Sequence, residues 1–475
     1  MSADNVPPPI QVPQVSRQSS APTRSPSTAH SSSGETGDRD IVPPYHPART
    51  LVLCFDGTGD SFGSYNSNII TFFSLLKKDD RHEQMVYYQP GIGTYLTTSE
   101  VSQVKATVQK VLDEMVAWNL GAHVMAGYEF LMQNYQEGDK ICLFGFSRGA
   151  YTARALAGML HKVGLLPACN HQQVPFAYKM YSREDEQGWA QSTAFKKAFS
   201  IDVDIDFIGV WDTVSSVGVI PHTLPFTSSN KAIRVFRQAL SLDERRARFK
   251  PALYIHPKPR DKKHGTQPGD MPKSDTTWAT QSAYRRAGSK QASVRKSQRQ
   301  HERDFNATDP DHPEAVGETD VYEVWFAGNH CDVGGGNVTS DVPHSLSRIP
   351  LRWMIRECFK MDTGIRFHGE LLRRIGMDPA HLHPRALGPA PVATEEEYDA
   401  RDAVMEAFDE LVAARREYKE ERTTTMNLGR GRLVPKHHSP FHVHRSVKMR
   451  MEAEGLKGGK YLPKAKYAHD PIWVD

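Results

Sequence analysis

The residues with the clearest chemical potential lie in the stretch Gly145-Phe-Ser-Arg-Gly149. A buried apolar run, residues 141–144, precedes it, and an Ala- and Leu-rich helical pattern follows it. In this context a G-x-S-x-G pattern forms a sharp turn from strand to helix, which exposes the serine hydroxyl at a helix N-terminus. Side chains in place of the two glycines would clash in such a turn. The pattern predicts a nucleophilic Ser147, and an ordinary serine in a tight turn is the alternative.

A serine nucleophile requires a base, and the base requires an acid that orients it. In α/β-hydrolases the acid and then the histidine follow the serine along the chain. Asp212 follows the strand pattern 205–211, and His330 follows the strand pattern 321–326. Because the carboxyl ends of parallel strands share one edge, we predict that Ser147, Asp212 and His330 form a catalytic triad. The alternatives are a strand-end cap for Asp212 and a backbone-bonded loop histidine for His330.

Asp332 is the main competitor for the role of the acid. It lies two residues after His330, although its glycine-rich surroundings favour capping of that turn. Asp243 in a helical pattern is expected to form an ion pair instead. Three further histidines compete more weakly with His330: His344, His442 and His444.

An oxyanion hole requires two backbone N–H donors aimed at the developing charge. The residue after the nucleophile, Arg148, would supply one donor. The loop 56–60 follows an earlier strand pattern, and its glycines allow close approach, so Gly57 or Thr58 would supply the other. Asp56 could brace this loop or contact Arg148.

Other chemistries have weaker support in the sequence. The residues before Thr58 resemble the aspartate-nucleophile phosphatase motif D-x-D-G-T, but Cys54 stands where the nucleophilic aspartate is needed. His330 and Asp332 could bind a metal, yet no second cluster has matching spacing. Neither a phosphate-binding P-loop nor a dinucleotide-binding glycine motif is present. We therefore predict no metal and no cofactor.

The elements that must position these residues alternate between strands and helices. Such alternation predicts an α/β protein with a mainly parallel sheet flanked by helices, as in the α/β-hydrolase fold. The predicted strands are residues 49–55, 85–88, 141–144, 205–211, 252–255 and 321–326, with a possible short strand within 441–447. The predicted helices are residues 68–77, 122–134, the stretch after Ser147, 235–249, 347–360 and 395–422, with an irregular helical region over 167–198.

The bulk composition limits the class of protein. The 475 residues are 39% hydrophobic and carry a net charge of +3, which gives no strong preference for polyanions, and nucleic acid is not an expected partner. A mean hydropathy of −0.55 predicts sizeable disordered segments. Five cysteines in mostly apolar surroundings favour a reducing compartment. Without a recognisable signal peptide or membrane-spanning run, the expected location is cytoplasmic.

The composition also predicts the domain organisation. Residues 1–46 form a Ser/Pro-rich disordered tail, and residues 47–475 form a single catalytic domain with a disordered insertion over 257–316. Residues 257–303 contain twelve Lys or Arg against four Asp or Glu. This stretch could contact an anionic membrane surface, and a solvated basic loop is the alternative. An apolar segment, residues 219–236, predicts a lid over an acyl-chain substrate.

Several blocks of the sequence together resemble a known family. It is the α/β-hydrolase family of formerly unknown function that includes the phospholipase effectors of type VI secretion, with a Tle-like catalytic domain. The Ser/Pro-rich tail is more typical of a eukaryotic, fungal-like member. The blocks span about residues 50 to 360: FDGT at 55–58, QPGIGT at 89–94, GFSRGAY at 145–151, VWDTV at 210–214, ALSLDERR at 239–246, WFAGNHCDVGG at 325–335 and LRWM at 351–354.

The resemblance implies an α/β-hydrolase fold and a serine esterase of small-molecule or lipid esters, phospholipids included. It assigns Ser147 as the nucleophile, with Asp212 and His330 as its partners. This chain departs from the family pattern at Asp60, where the family usually has Asn, and in the basic insertion 257–303. The competing hypotheses are a non-catalytic scaffold that keeps the fold, and a hydrolase of another bond such as a thioester or peptide.

Overall fold

A computed structural model describes most of the chain from Asp40 onward. The described residues are 40–58, 60–91, 107–214, 223–246, 249–255, 298, 301–302, 319–383, 393–407, 431–435, 440–457, 459–467 and 469–475. Most of the predicted tail and most of the predicted insertion 257–316 lie outside them. So do residues 219–222 of the predicted lid and the second half of the predicted helix 395–422. Residues Asp40–Asp475 make up one compact unit.

Ten strands and ten α-helices are present in the described part of the chain. The strands are β1 (Ile41–Val42), β2 (Thr50–Phe55), β3 (Gln84–Gln89), β4 (Lys140–Phe146), β5 (Ile205–Trp211), β6 (Ile233–Ser241), β7 (Asp320–Phe326), β8 (Phe367–His368), β9 (His442–His444) and β10 (Ile472–Val474). The helices are α1 (Asn68–Leu75), α2 (Thr107–Asn134), α3 (Ser147–Val163), α4 (Val174–Ser182), α5 (Glu186–Phe199), α6 (His330–Gly334), α7 (Arg348–Lys360), α8 (Gly369–Arg374), α9 (Ala393–Ala403) and α10 (Arg445–Glu452).

The central sheet has eight strands in the order β10-β9-β7-β6-β5-β4-β2-β3. Every neighbouring pair in this sheet is parallel. Strands β1 and β8 form a separate antiparallel pair, so part of the predicted tail contributes a strand. The predicted α/β fold, a parallel sheet flanked by helices, is confirmed.

The two faces of the sheet are buried against different helices. Leu51, Leu53 and Phe55 of β2 pack in one core cluster with residues of α2, α3 and α4. Val52 and Cys54 point to the other face, where α1 and α7 contribute to a second cluster. Alternate side chains of a strand point to opposite faces, so a strand covered on both sides is apolar throughout. This double burial explains the continuous apolar runs in the sequence.

The helix predicted for residues 235–249 is wrong, because Ile233–Ser241 is a central strand. Its Ala, Leu, Arg and Gln residues favour a helix, but tertiary contacts override this preference. Buried Arg237 donates to Glu357 at 2.7 Å, and buried Gln238 donates to Glu323 at 2.6 Å. Since these polar side chains are paired, the strand can lie in the middle of the sheet.

Two further predictions fail in the same region. Residues 252–255 do not form a strand, because the backbone is irregular after a single bridge between Pro251 and Val214. The predicted lid, residues 219–236, is wrong in its C-terminal part, since Phe236 is fully buried within β6. Leu224 N–H also donates to the Tyr151 hydroxyl at 2.8 Å, which fastens that part of the segment to α3.

No helix among the described residues is both long enough and apolar enough to cross a membrane.

Helix α3 approaches strand β2 so closely that one position requires glycine. A Cβ atom on Gly149 would lie 2.3 Å from the carbonyl oxygens of Phe55 and of Asp56. Backbone atoms cannot move aside as a flexible side chain can, so a methyl group here must push the helix away from the sheet.

We therefore predict that Gly149→Ala lowers the free energy of unfolding by about 1–3 kcal/mol, the usual cost of overpacking. Urea denaturation measures the change. The matched control is Gly63→Ala, because the nearest atom to a Cβ at Gly63 is 3.8 Å away. The control should change stability by less than about 0.5 kcal/mol. Equal effects of the two substitutions would contradict the close approach.

Candidate active site

Ser147 occupies a strained turn between β4 and α3. Its φ angle is 57°, in the left-handed region that non-glycine residues rarely adopt. A Cβ on Gly145 would lie 2.5 Å from the Cα of Ala150, so the turn also depends on a glycine before the serine. Ser147 begins α3, and no side chain caps this helix N-terminus. The turn therefore holds the serine next to backbone N–H groups at the positive end of a 17-residue helix.

Asp212 and His330 lie together at the same edge of the sheet. Asp212 directly follows β5 and has a φ angle of 43°, a second unusual backbone conformation. His330 is the first residue of α6, shortly after the end of β7. The Nδ1 atom of His330 is 2.5 Å from Oδ2 of Asp212. This contact can fix the ring orientation and leave Nε2 as the proton acceptor.

Arg432 is a residue of this site that sequence analysis did not find. It donates from Nη1 to Oδ1 of Asp212 at 2.5 Å and from Nη2 to Oδ2 at 2.8 Å. The backbone N–H of Ser241 also donates to Oδ1, at 2.9 Å, so these two residues give the carboxylate three hydrogen bonds. Arg432 is separated from Asp212 by 220 residues and lies in an arginine- and glycine-containing stretch, so no local pattern indicates this contact.

The charge state of Asp212 follows from two opposing effects. Burial, which is complete for this side chain, would raise the pKa of the carboxyl group. The guanidinium of Arg432 and the hydrogen bond with His330 outweigh burial and hold the pKa of Asp212 well below its usual range. The carboxyl group is therefore an anion at neutral pH, as the orienting acid of a triad must be.

His330 lies between two aromatic rings. The ring of Phe146 is 4.7 Å from the imidazole, and that of Phe249 is 4.8 Å away, measured between ring centroids. Burial lowers the pKa of His330, and the interaction with Asp212 offsets only part of this effect. Its Nε2 atom is buried and has no hydrogen-bond partner among the described residues. The imidazole is thus neutral near pH 7, with an available basic nitrogen.

The competing acid, Asp332, has a different structural function. Its Oδ2 accepts the backbone N–H of Asn329 at 3.0 Å, and Asn329 caps the start of α6 in return, as a capping box. Asn337 also donates to Oδ1 of Asp332. The carboxylate that accepts the hydrogen bond from Nδ1 of His330 is that of Asp212 instead.

The other competing residues also have partners elsewhere. Asp243 accepts hydrogen bonds from Tyr461 and from two backbone N–H groups. His344 contacts Asp402 at 2.9 Å. His444 caps α10, and burial lowers its pKa to about 4. His442 packs against the Tyr322 ring.

The two predicted oxyanion donors in the loop after β2 differ in whether their backbone N–H groups are already hydrogen-bonded. The N–H of Gly57 donates to Oδ1 of Asp56 at 2.8 Å and is therefore engaged. Asp56 also accepts from Ser67 at 2.6 Å and from Tyr88 at 2.8 Å, so it braces the loop. The backbone N–H of Thr58 has no acceptor among the described residues. Of the two candidates, Thr58 is thus the one whose N–H is not already engaged in the described part of the chain.

Asp60 adds a second carboxyl group beside this loop. Its Oδ2 lies 2.2 Å from the position that a Cβ on Gly57 would occupy, and the ring of Phe146 borders the same space. Burial raises the pKa of Asp60 to about 7; the nearby Asp56 adds to the rise, and Arg148 opposes it. Asp60 therefore changes its charge near neutral pH at the edge of the candidate site.

No cluster of three or more His, Cys, Asp or Glu side chains suited to a metal ion occurs in the described parts of the chain. His330 and Asp332, which could have formed such a site, are engaged in the separate contacts given above.

A serine at a strained strand-to-helix turn, and an Asp–His pair that follows two other strands of the same parallel sheet, are features of α/β-hydrolases. Residues 49–357 match the family of type VI secretion system phospholipase effector Tle1-like catalytic domains. Because this match covers more than half of the chain, the protein belongs to that family. The resemblance inferred from the sequence blocks is confirmed.

Three similar proteins give further context. An uncharacterized protein of Saccharomyces cerevisiae is 39% identical over 239 residues, which supports a eukaryotic, fungal-like member. That alignment covers 46% of this chain and 35% of the yeast protein, so the chain spans about a third of that relative's length. A crystal structure of an uncharacterized Pseudomonas aeruginosa protein is 16% identical with a TM-score of 0.34, covering 80% of this chain and 56% of that one. The Tle1 effector bound to the VgrG spike of the type 6 secretion system is 18% identical with a TM-score of 0.26, covering 61% and 52%.

The contact between Arg432 and Asp212 should affect the pKa of His330. The cation partly neutralises the carboxylate and so weakens the stabilisation of a protonated imidazole. We expect Arg432→Met to raise the pKa of His330, measured by NMR titration with the signal assigned through His330→Gln. Arg432→Lys, which keeps the charge, should raise it less. A fall in the pKa of His330 in the Met variant would contradict this arrangement.

Proposed function

We propose that the protein is a serine hydrolase that cleaves carboxylic esters of lipids, with phospholipid acyl esters as the substrate class. The observation that carries the proposal is the buried chain of contacts from Arg432 through Asp212 to His330, at the sheet edge that also bears Ser147. Such a chain provides an oriented neutral imidazole, which is what a serine nucleophile requires.

In the first step, Ser147 Oγ attacks the ester carbonyl carbon while its proton passes to Nε2 of His330. Asp212 stabilises the resulting imidazolium through Nδ1 and remains ionised, because Arg432 holds it as an anion. The tetrahedral oxyanion accepts hydrogen bonds from the backbone N–H groups of Arg148 and Thr58. The positive end of α3 adds to this stabilisation.

Collapse of the tetrahedral species breaks the bond to the leaving alcohol, which takes the proton from His330. A water molecule then attacks the acyl-enzyme with His330 again as the base. The products are a carboxylic acid and free Ser147. The aromatic rings of Phe146 and Phe249 keep bulk water from the imidazole, which strengthens its contact with Asp212.

Family membership directs the proposal to lipid substrates, because the matching family is described as that of phospholipase effectors. A panel of acyl substrates tests this part of the proposal. We expect hydrolysis of phospholipid in preference to thioesters or peptides. The predicted lid does not support a lipid substrate, since much of its C-terminal part is β6.

The nucleophile is tested by labelling with a fluorophosphonate probe. The wild-type protein should react, Ser147→Ala should not, and His330→Gln should react at least about 100-fold more slowly because the base is missing. Ser61→Ala, which changes an exposed serine on the neighbouring loop, should label like wild type. If well-folded wild-type protein is not labelled, the non-catalytic scaffold is the better interpretation.

The pH dependence of kcat/KM tests the position of Asp60. Below pH 7 this carboxyl group is protonated and neutral, and above pH 7 it is an anion that opposes the developing oxyanion. We expect wild-type kcat/KM to fall on the order of tenfold as the pH rises through this range. Asp60→Asn, which is neutral at every pH, should lose the alkaline fall and keep the acid limb set by His330.

Glu186→Gln removes an exposed carboxylate on α5 and serves as the control for net charge. This variant should keep the alkaline fall. Persistence of the fall in Asp60→Asn would assign it to another group.

A further inference from the structure

Residues 457–467 form a lysine-rich segment that the proposed chemistry does not use. The sequence KGGKYLPKAKY contains four lysines and no acidic residue, and we call it the lysine segment. It lies beyond the region that matches the family, which ends at residue 357. It is also distinct from the basic insertion 257–303, the stretch in which the sequence predicts a contact with an anionic membrane surface.

The lysine segment is fastened beside the candidate active site at two points. The Tyr461 hydroxyl and the Lys464 N–H donate to the carboxylate of Asp243 at 2.7 and 2.8 Å. That carboxylate also accepts the N–H of Gly328, two residues before His330. At the second point, the N–H of Lys466 donates to the carbonyl oxygen of Arg432 at 2.7 Å. The segment therefore lies at the edge of the sheet that carries Asp212 and His330.

A cavity of about 660 Å³ lies between part of the lysine segment and the loops of the site. Lys457, Lys460 and Lys464 line one side, and Asn329 and Asp332 of the α6 turn line another. The cavity wall also contains the acidic residues Asp243, Glu244, Glu406 and Glu454, and Glu406 is paired with Lys457 at 3.0 Å. The wall therefore has mixed charge, and Lys466, which is exposed and does not line the cavity, adds a further cation to the segment.

The exposed side chains of the lysine segment combine unpaired cations with apolar groups. Lys460, Lys464 and Lys466 are exposed, and their ammonium groups have no acidic partner among the described residues. Leu462 is 58% exposed and Tyr467 is 40% exposed between and beside them. Apolar side chains exposed between lysines are the combination that a contact with a lipid surface uses.

We propose that the lysine segment docks the protein on an anionic phospholipid surface and presents the site to lipid esters there. Cationic side chains attract anionic headgroups, and a leucine or tyrosine between them can insert at the boundary with the acyl chains. A soluble polyanion would use the lysines but would give no stabilisation to exposed Leu462. The proposal deepens the proposed function, because a lipid ester hydrolase must reach its substrate at such a surface.

The test is sedimentation of the full-length Ser147→Ala protein with vesicles, so that binding is measured without hydrolysis. Vesicles of phosphatidylcholine with about one third phosphatidylserine are compared with pure phosphatidylcholine. We expect preferential binding to the anionic vesicles. The variant Lys460→Gln/Lys464→Gln/Lys466→Gln should lower the partition coefficient on the order of 100-fold, from about a fivefold step for each lysine. Leu462→Ser should lower binding several-fold.

The control variant removes three exposed cations elsewhere: Arg81→Gln/Lys179→Gln/Lys197→Gln. It has the same net charge as the test variant and should bind vesicles like the parent protein. Thermal denaturation of each variant establishes that the fold is intact.

Equal loss of binding in the test and control variants would overturn the proposal, because only net charge would then matter. So would equal binding to neutral vesicles, or displacement from vesicles by single-stranded RNA with no effect of Leu462→Ser, which would indicate a nucleic acid partner. Since the binding assay needs no active nucleophile, it can fail while probe labelling of Ser147 succeeds. It can also succeed while labelling fails, so the two proposals are separable.

Discussion

The carboxylate of Asp212 is the constraint on which the rest of the candidate site depends. It is fully buried, and an isolated buried carboxylate would take up a proton and lose its value as an orienting acid. The hydrogen bond with His330 and the pairing of Arg432 with both oxygens together prevent this. Breaking a buried ion pair of this kind by removing one partner typically costs about 3–5 kcal/mol. The contact between Arg432 and Asp212 therefore affects three properties at once. These are the position of the imidazole, the charge at the site and part of the local stability.

The parallel sheet determines which residues lie at the same edge as the contact between Arg432 and Asp212. Strands β4, β5 and β7 end at the same edge, so Ser147, Asp212 and His330 all lie along it although the chain separates them widely. The backbone of Ser147 and that of Asp212 both have positive φ angles, each at a cost of about 1–3 kcal/mol. The two buried core clusters hold the strand ends in place and offset this strain. Unusual backbone at two of the three positions is consistent with a site that is held in a fixed geometry.

Sequence reasoning succeeded where a feature depends on neighbouring residues and failed where it depends on distant ones. The strand 205–211, the turn at Ser147 and the order of elements follow from local patterns, and the structure has them. The strand Ile233–Ser241 was predicted as a helix, because its composition favours a helix and only its contacts with Glu357 and Glu323 make burial possible. Arg432 could not be predicted at all, since nothing near it indicates a partner 220 residues away.

The residues that follow the region matching the family contribute both to the sheet and to the candidate site. The match ends at residue 357, whereas Arg432, β9, β10 and the lysine segment all follow it. Because the carbonyl oxygen of Arg432 accepts the N–H of Lys466, the guanidinium that pairs with Asp212 and the proposed lipid-facing segment are joined through the same short stretch of backbone. A displacement of the lysine segment would therefore move the partner of the buried carboxylate. The electrostatics of the candidate site and the proposed contact with a lipid surface are physically linked through Arg432.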